Sequence, residues 1–156
     1  MRPPARDARK PRGNMEKKDV LITLNSIQAV DGDKEETELI TGGSFERDGD
    51  KYIISYDEST ATGFDGSTTV LTCKGNDYAT MSRTGSAPSN LIIERGKKHH
   101  CHYGTPFGEF MVGINAHTIE NSLNEDGGEL SFRYTIDVNS VYVSDNEVRI
   151  SVQVRD

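Results

Sequence analysis

The sequence predicts an all-β protein, an antiparallel up-and-down barrel of about 8 to 10 strands. Val, Ile and Thr together number 34 of the 156 residues, whereas Ala and Leu number 14, which favours strand over helix. Apolar and polar residues alternate with a period of two along many segments, and glycine-containing turn pairs separate those segments. Short strands joined by tight turns are typical of a sandwich or a barrel, and two expected bends favour the barrel.

The clearest strand signal lies in the C-terminal part of the chain. Within residues 130–138, Phe132 and Ile136 share one face, while Ser131 and Arg133 share the other. This alternation predicts a strand with one buried side. Segments with the same kind of pattern, in chain order, are 20–30, 35–47, 51–57, 67–74, 77–83, 90–94, 99–103, 107–116 and 148–154.

At four places the pattern predicts something other than a regular strand. Two glycines at 42–43 interrupt a strand and predict a bulge or sharp bend, and a change of phase after Leu24 predicts another. Residues 144–146, Ser-Asp-Asn, have the chemistry of a turn. Residues 117–124 suit either a further strand or one short helical turn.

Charge divides the chain into two parts. Residues 1–18 hold seven basic and two acidic side chains, so the remainder has a net charge of −12 within a total of −7. Residues 1–17 are therefore expected to be a disordered basic tail, or an overlong start that precedes a true first residue at Met15. Residues 18–156 are expected to form a single barrel domain.

Composition also limits the partners and the compartment. An acidic domain repels phosphate backbones, so nucleic acid is not an expected partner of the folded part. No apolar run is long enough to span a bilayer, and no membrane association is expected. Cys73 and Cys101 are too few for a disulfide framework, and they predict reduced thiols in the cytoplasm.

The run His99-His100-Cys101-His102 contains side chains that bind zinc or copper. In an extended strand only His100 and His102 among the histidines share a face with each other, so they are weak candidates that need a third ligand from another strand. We predict no metal site and no cofactor. The chain has no nucleophile elbow, P-loop or dinucleotide fingerprint. No catalytic residue is predicted, and the sequence leans against an enzyme.

Arg83 gives the chain its most specific candidate site. It ends a strand on which Ala79 and Met81 have the same parity, so an inward face would place its guanidinium inside the barrel. A buried charge needs a partner, and three interpretations remain: an ion pair with Glu58 that fixes strand register, an anchor for an anionic ligand, or an arginine that reaches solvent. The candidate ligand-binding residues of the barrel interior are Arg83, Glu58, Tyr56, Tyr103 and Tyr134.

Several motifs follow one another in a recognisable order. Tyr56-x-Glu58 and Arg83-x-Gly85 precede the segment Tyr-Gly-Thr-Pro-Phe-Gly-Glu-Phe at 103–110. From about residue 18 to 156 the chain resembles the YwiB-like family of small bacterial proteins, a domain of unknown function. The resemblance implies a calycin-like, lipocalin-like barrel and a cytoplasmic, bacterial origin. It implies no activity.

Two functions remain open from the sequence. The first is noncatalytic binding of a small anionic or amphipathic molecule inside the barrel. The alternative is a structural or interaction protein with a filled barrel, which acts through a homodimer or through a partner surface. Interior volume separates them, because Phe45, Phe110, Phe132 and the tyrosines would leave no pocket if they met in the middle.

Overall fold

The computed structural model is a closed barrel of ten antiparallel strands, and it describes residues 14–60, 62–105 and 107–155. Each strand pairs with its neighbour in the chain, and the first strand pairs with the last to close the barrel. The all-β up-and-down barrel predicted from the sequence is confirmed. The strands are β1 (Met15–Val30), β2 (Asp33–Asp48), β3 (Lys51–Asp57), β4 (Thr68–Lys74), β5 (Tyr78–Thr84), β6 (Ser89–Glu94), β7 (Lys98–Thr105), β8 (Gly108–Asn121), β9 (Gly127–Val138) and β10 (Val141–Val154).

Alternating side chains from the strands fill the core. On β9, Leu130, Phe132 and Ile136 are buried, as the period-two pattern predicts. Phe45 from β2 is also fully buried, whereas Phe110 is 48% exposed and takes no part in the core. The three phenylalanines therefore do not meet in the middle of the barrel.

The helical turn that residues 117–124 allowed is wrong, because β8 continues as strand through Asn121. The pairing of β8 with β9 shifts register between Ala116 and Thr118. An extra residue at this bulge breaks the period-two pattern, and the break imitates a helical spacing in the sequence. Among the described residues the structure contains no helix long and apolar enough to cross a bilayer.

Of the bulge or sharp bend expected at residues 42–43 and again after Leu24, the bulge is wrong at both places, and the bend stays a prediction. The pairing of β1 with β2 runs without a shift from Lys18 to Val30. Gly43 instead allows a close approach, since a Cβ there would lie 2.4 Å from Ile22 Cδ1 and 2.4 Å from the Ser55 carbonyl oxygen. β2 starts to pair with β3 at this same residue.

The turn expected at residues 144–146 lies earlier in the chain. Asn139 and Ser140 connect β9 to β10, and both have a positive φ, at 51° and 68°. Two left-handed residues form the type I′ turn that tight hairpins prefer. Residues 144–146 belong to β10, whose pairing with β9 shifts register just before them.

The N-terminal boundary differs from the expected one by three residues. β1 begins at Met15, which pairs with Arg47 and packs, partly buried, against the core. Residues 15–17 are therefore strand rather than tail. Asn14 of the expected tail is also described, and its Oδ1 accepts a hydrogen bond from the Gly49 amide at 3.2 Å. Residues 1–13 lie outside the described residues.

Three hairpins extend beyond the paired wall at one end of the barrel. Residues 33–42 of β2 pair only with β1, and residues 108–112 of β8 pair only with β7. Residues 141–144 of β10 pair only with β9. The β3–β4 loop and the β5–β6 turn lie at the same end, because strands alternate in direction around the barrel. We call this end the mouth.

A polar cavity at the mouth of the barrel

The mouth leads into a cavity of about 220 Å³. Cavities of roughly 150 Å³ already admit a molecule the size of benzene, so this one has room for a small organic molecule. All five residues predicted for the barrel interior line it: Tyr56, Glu58, Arg83, Tyr103 and Tyr134.

One wall of the cavity belongs to a row of directly paired residues that crosses five strands, and every member of the row except Thr69 lines the cavity. Tyr56 on β3 pairs with Thr69 on β4, and Thr69 pairs with Arg83 on β5. Arg83 in turn pairs with Ser89 on β6, which pairs with Tyr103 on β7. Paired residues project to the same face of a sheet, so this register alone places all five polar side chains beside one another on the inner face of the barrel.

The opposite wall is a second row. Tyr134 on β9 pairs with Asn146 on β10, Asn146 pairs with Gln28 on β1, and Gln28 pairs with Glu35 on β2. All four residues line the cavity. The tyrosine is buried, whereas the glutamine and the glutamate are exposed, so this wall rises from the core to the rim.

Arg83 is the only charged side chain of the first row, and it is 6% exposed. Its Nε donates to the carbonyl oxygen of Ala87 at 2.7 Å, and its Nη2 donates to Ser89 Oγ at 2.7 Å and to the carbonyl oxygen of Gly104 at 3.0 Å. These partners are all neutral. They hold the guanidinium in one orientation without cancelling its charge.

The expected contact between Arg83 and Glu58 does not form. Among the described residues, no carboxylate oxygen lies within 4.0 Å of the guanidinium nitrogens. Glu58 instead accepts a hydrogen bond at Oε2 from Thr69 Oγ1. Its Oε1 is buried and has no hydrogen-bond partner in the described chain. The backbone carbonyls near Arg83 are better placed than Glu58, because a turn brings them within reach of the end of β5.

An aromatic ring completes the setting of Arg83. The guanidinium carbon lies 3.5 Å from the centroid of the Phe64 ring, which the β3–β4 loop supplies, and 5.7 Å from that of Tyr103. A planar cation over an aromatic face is favourable. Burial lowers the pKa of Arg83, although the nearby Glu58 carboxylate opposes that change, and an arginine so placed remains charged at neutral pH.

The tyrosines remain hydrogen-bond donors. Burial raises the pKa of Tyr56, and the negative charge of Glu58 raises it further. Burial also raises the pKa of Tyr134, whose hydroxyl makes no hydrogen bond within the described residues. Both hydroxyls are therefore protonated at physiological pH and can donate to a molecule in the cavity.

Position 104 of the segment at 103–110 requires a glycine. A Cβ there would lie 2.1 Å from the carbonyl oxygen of Pro88, so only glycine lets β7 approach the β5–β6 turn this closely. That approach brings the Gly104 carbonyl to Arg83 and lets the Gly104 amide donate to Ser89 Oγ at 2.9 Å. The glycine thus helps to hold the arginine in place.

Several residues of the cavity had not been identified from the sequence. Ser89 occupies an inward position and pairs with Arg83, so the parity of its strand was the available signal. Phe64, Gln28 and Asn146 had no such signal. The first lies on a loop, and the other two are polar residues on strands that extend past the core.

The histidine run lies on the wall of the barrel. His100 and His102 are exposed, and His102 Nε2 contacts Glu109 Oε1. His99 Nε2 lies 2.9 Å from Glu94 Oε1, on the opposite face of the strand. The described residues contain no group of three or more His, Cys, Asp or Glu side chains arranged to hold a metal ion.

Comparison with known proteins gives two matches. A family model described as a domain of unknown function, DUF1934, matches residues 22–150. The crystal structure of the ywiB protein from Bacillus subtilis is similar with a TM-score of 0.77, at 20% sequence identity, and the match covers 94% of this chain and 99% of that one. At this identity the structural likeness concerns the fold. No curated protein matches the chain.

Proposed function

We propose that this chain, which belongs to the DUF1934 family, is a noncatalytic binding protein that takes a small organic acid into the mouth of its barrel. The family match and the similar structure also confirm the YwiB-like resemblance expected from the sequence. The observation that carries the proposal is the state of Arg83. Its charge is buried, held by neutral partners, and directed into a cavity.

Electrostatics favours a ligand with an acid group. Burying a cation costs free energy, and neutral hydrogen-bond partners recover only part of that cost. An anionic group beside Arg83 supplies a counter-charge in direct contact with the guanidinium, which Glu58 does not. The hydroxyl of Tyr134 supplies a further donor on the opposite wall.

Apolar surface at the floor of the cavity limits the rest of the ligand. Leu24, Met81, Leu91 and Val148 line the cavity together with the polar rows. A molecule with one polar end and a small apolar body matches this division, which is the way lipocalin-like barrels use their open end. The volume suits about ten non-hydrogen atoms, since about 150 Å³ holds benzene.

The compartment is part of the proposal. Cys73 and Cys101 are both free and buried, and burial raises the pKa of Cys73 to about 12. Buried thiols that stay protonated are compatible with a reducing bacterial cytoplasm, where a soluble metabolite would be the ligand.

Binding of small acids tests the proposal. Melting temperature is measured with a panel of small carboxylates and phosphates, each beside an uncharged amide or ester, because a bound ligand stabilises the folded state. We expect at least one acid to raise the melting temperature, its neutral counterpart to have no effect, and Arg83→Met to abolish the shift. Arg149→Met on the outer face serves as the matched control, since this arginine is 67% exposed. A shift that survives in Arg83→Met would refute the proposal.

A second candidate function rests on the β7–β8 hairpin. Phe107 is 94% exposed, and Phe110 and Met111 are 48% and 60% exposed on the part of β8 that lacks a second strand partner. Exposed apolar side chains beside an unpaired strand edge favour contact with another chain, including a second copy. Sedimentation of the wild type and of a Phe107→Ser, Phe110→Ser variant tests this. Association that the variant loses would support the interface, and a monomer at all concentrations would exclude a homodimer.

A further inference from the structure

Glu58 indicates a second property of the ligand, a hydrogen-bond donor. Its Oε1 atom is buried and lacks a hydrogen-bond partner in the described residues. Its Oε2 atom is already used by Thr69. A buried carboxylate oxygen without a donor is costly, and native proteins leave few of them.

The opposite charges of Arg83 and Glu58 attract each other, but the two groups are not directly paired. Arg83 donates its hydrogen bonds to neutral groups, and Glu58 accepts at Oε2 from the Thr69 hydroxyl and lies beside the Tyr56 hydroxyl. Glu35 adds a second carboxylate at the rim. An anion alone would pair with Arg83 but would be repelled by both carboxylates, while a cation alone would leave Arg83 without a counter-charge.

From this arrangement we infer that the ligand is a small zwitterion of the amino-acid class, whose carboxylate pairs with Arg83 and whose ammonium group donates to Glu58 Oε1. This inference rests on the proposed function, since it assigns the second pole of the same ligand. An ammonium group has several donors and a full positive charge, so it both fills the free lone pairs of Glu58 and balances its charge.

The aromatic lining suits the same ligand. Tyr56, Phe64, Tyr103 and Tyr134 all border the cavity. Aromatic faces attract ammonium groups, and their area packs against the short carbon chain of an amino acid. Tyr56 lies beside Glu58, and the carboxylate helps to raise its pKa, so its protonated hydroxyl stands at the pole assigned to the ammonium group.

The test uses derivatives that remove one pole at a time. Binding of free α-amino acids to the full-length protein is measured by calorimetry. Each one that binds is compared with its N-acetyl derivative, which lacks the ammonium group, and with its amide, which lacks the carboxylate. We expect N-acetylation and amidation each to weaken binding by about tenfold or more, because each removes a charge-assisted hydrogen bond.

Variants assign the poles to their residues. In Glu58→Gln the penalty for N-acetylation, which is the factor by which it weakens binding, should fall to about threefold or less. The corresponding penalty for amidation should remain. Glutamine keeps an acceptor for Thr69, so this variant should fold, and an unchanged far-ultraviolet spectrum checks that it does. Glu38→Gln, an exposed residue of β2 that does not line the cavity, is the matched control, and it should retain the full penalty for N-acetylation. Arg83→Lys should reduce the penalty for amidation alone.

The outcomes separate this inference from the proposed function. Simple acids that bind through Arg83 as tightly as amino acids do would overturn the zwitterion and leave the proposed function intact. Hydroxy acids that bind as tightly as amino acids would also overturn it, since a hydroxyl would then satisfy Glu58. Binding of no acid of either kind would refute both.

Discussion

Replacement of Arg83 by methionine measures what the neutral partners contribute to stability. Methionine replaces the aliphatic stem of arginine but carries no guanidinium and no charge, so it removes the three hydrogen bonds to Ala87, Ser89 and Gly104. The methionine side chain can pack beside the Phe64 ring, which faces the guanidinium in the wild type.

The magnitude follows from what each former partner can do next. Ser89 Oγ keeps the hydrogen bond from the Gly104 amide at 2.9 Å, and it lies 3.5 Å from the Gly104 carbonyl oxygen, to which it can donate. The Ala87 carbonyl alone is left without its side-chain partner. An unpaired buried acceptor costs about 1–3 kcal/mol, and removing the buried charge returns part of its desolvation free energy. We therefore expect unfolding to become easier by about 2 kcal/mol.

Urea unfolding followed by circular dichroism gives this free energy, since the chain has no tryptophan to report it by fluorescence. Arg149→Met is the control and should change the free energy of unfolding by less than about 0.5 kcal/mol. Adding Glu58→Gln to Arg83→Met should restore less than half of the loss, because the two side chains are not directly paired. A loss of about 3–5 kcal/mol that Glu58→Gln almost fully restores would show a buried ion pair and refute our assignment of neutral partners.

Three further predictions concern the scaffold. Phe132→Ala should cost about 3–5 kcal/mol because the ring is fully buried, while Gln153→Ala on the outer face should cost close to nothing, as urea unfolding would show. Gly104→Ala should lower the melting temperature and weaken acid binding together, since its Cβ would clash with backbone, and a normal melting temperature would contradict this. The Lys98 ammonium, 2.8 Å from Asp137, lowers the pKa of that carboxyl, so its contribution to stability is present above the unfolded pKa of about 4 and is lost as the pH falls below it. Asp137→Asn should therefore lose less stability than the wild type between about pH 5 and pH 3. An equal loss of unfolding free energy in both proteins over this pH range would count against the ion pair.

The wall of the barrel was predictable because one face of each strand is buried. Alternation placed Phe132 and Ile136 inward, and the same parity placed Arg83 inward on a strand with Ala79 and Met81. Local irregularities were not predictable in this way. The bulge after Ala116 imitated a helical spacing, and the glycines at 42–43 serve a close approach rather than a bulge.

The sequence was sufficient to predict which residues form the candidate site, but not which of them contact one another. Parity and motif order gave Tyr56, Glu58, Arg83 and the other tyrosines, and all of them line one cavity. The prediction that Glu58 pairs with Arg83 was wrong. A backbone carbonyl has no sequence signature, and any residue can supply one, so the true partners could not be identified from the sequence. Ala87 and Gly104 reach the guanidinium only because the β5–β6 turn meets β7, a contact that depends on the closed barrel.

Native mass spectrometry of the untagged protein tests the central claim, that the mouth holds a small acid through Arg83. The wild type, purified gently from cells that express it, should carry one small molecule per chain, which dissociates as a species with an acid group. Arg83→Met purified in parallel should have the mass of the bare chain, while Arg149→Met should keep the added mass. A bare chain in the wild type, or the same added mass in Arg83→Met, would contradict the account.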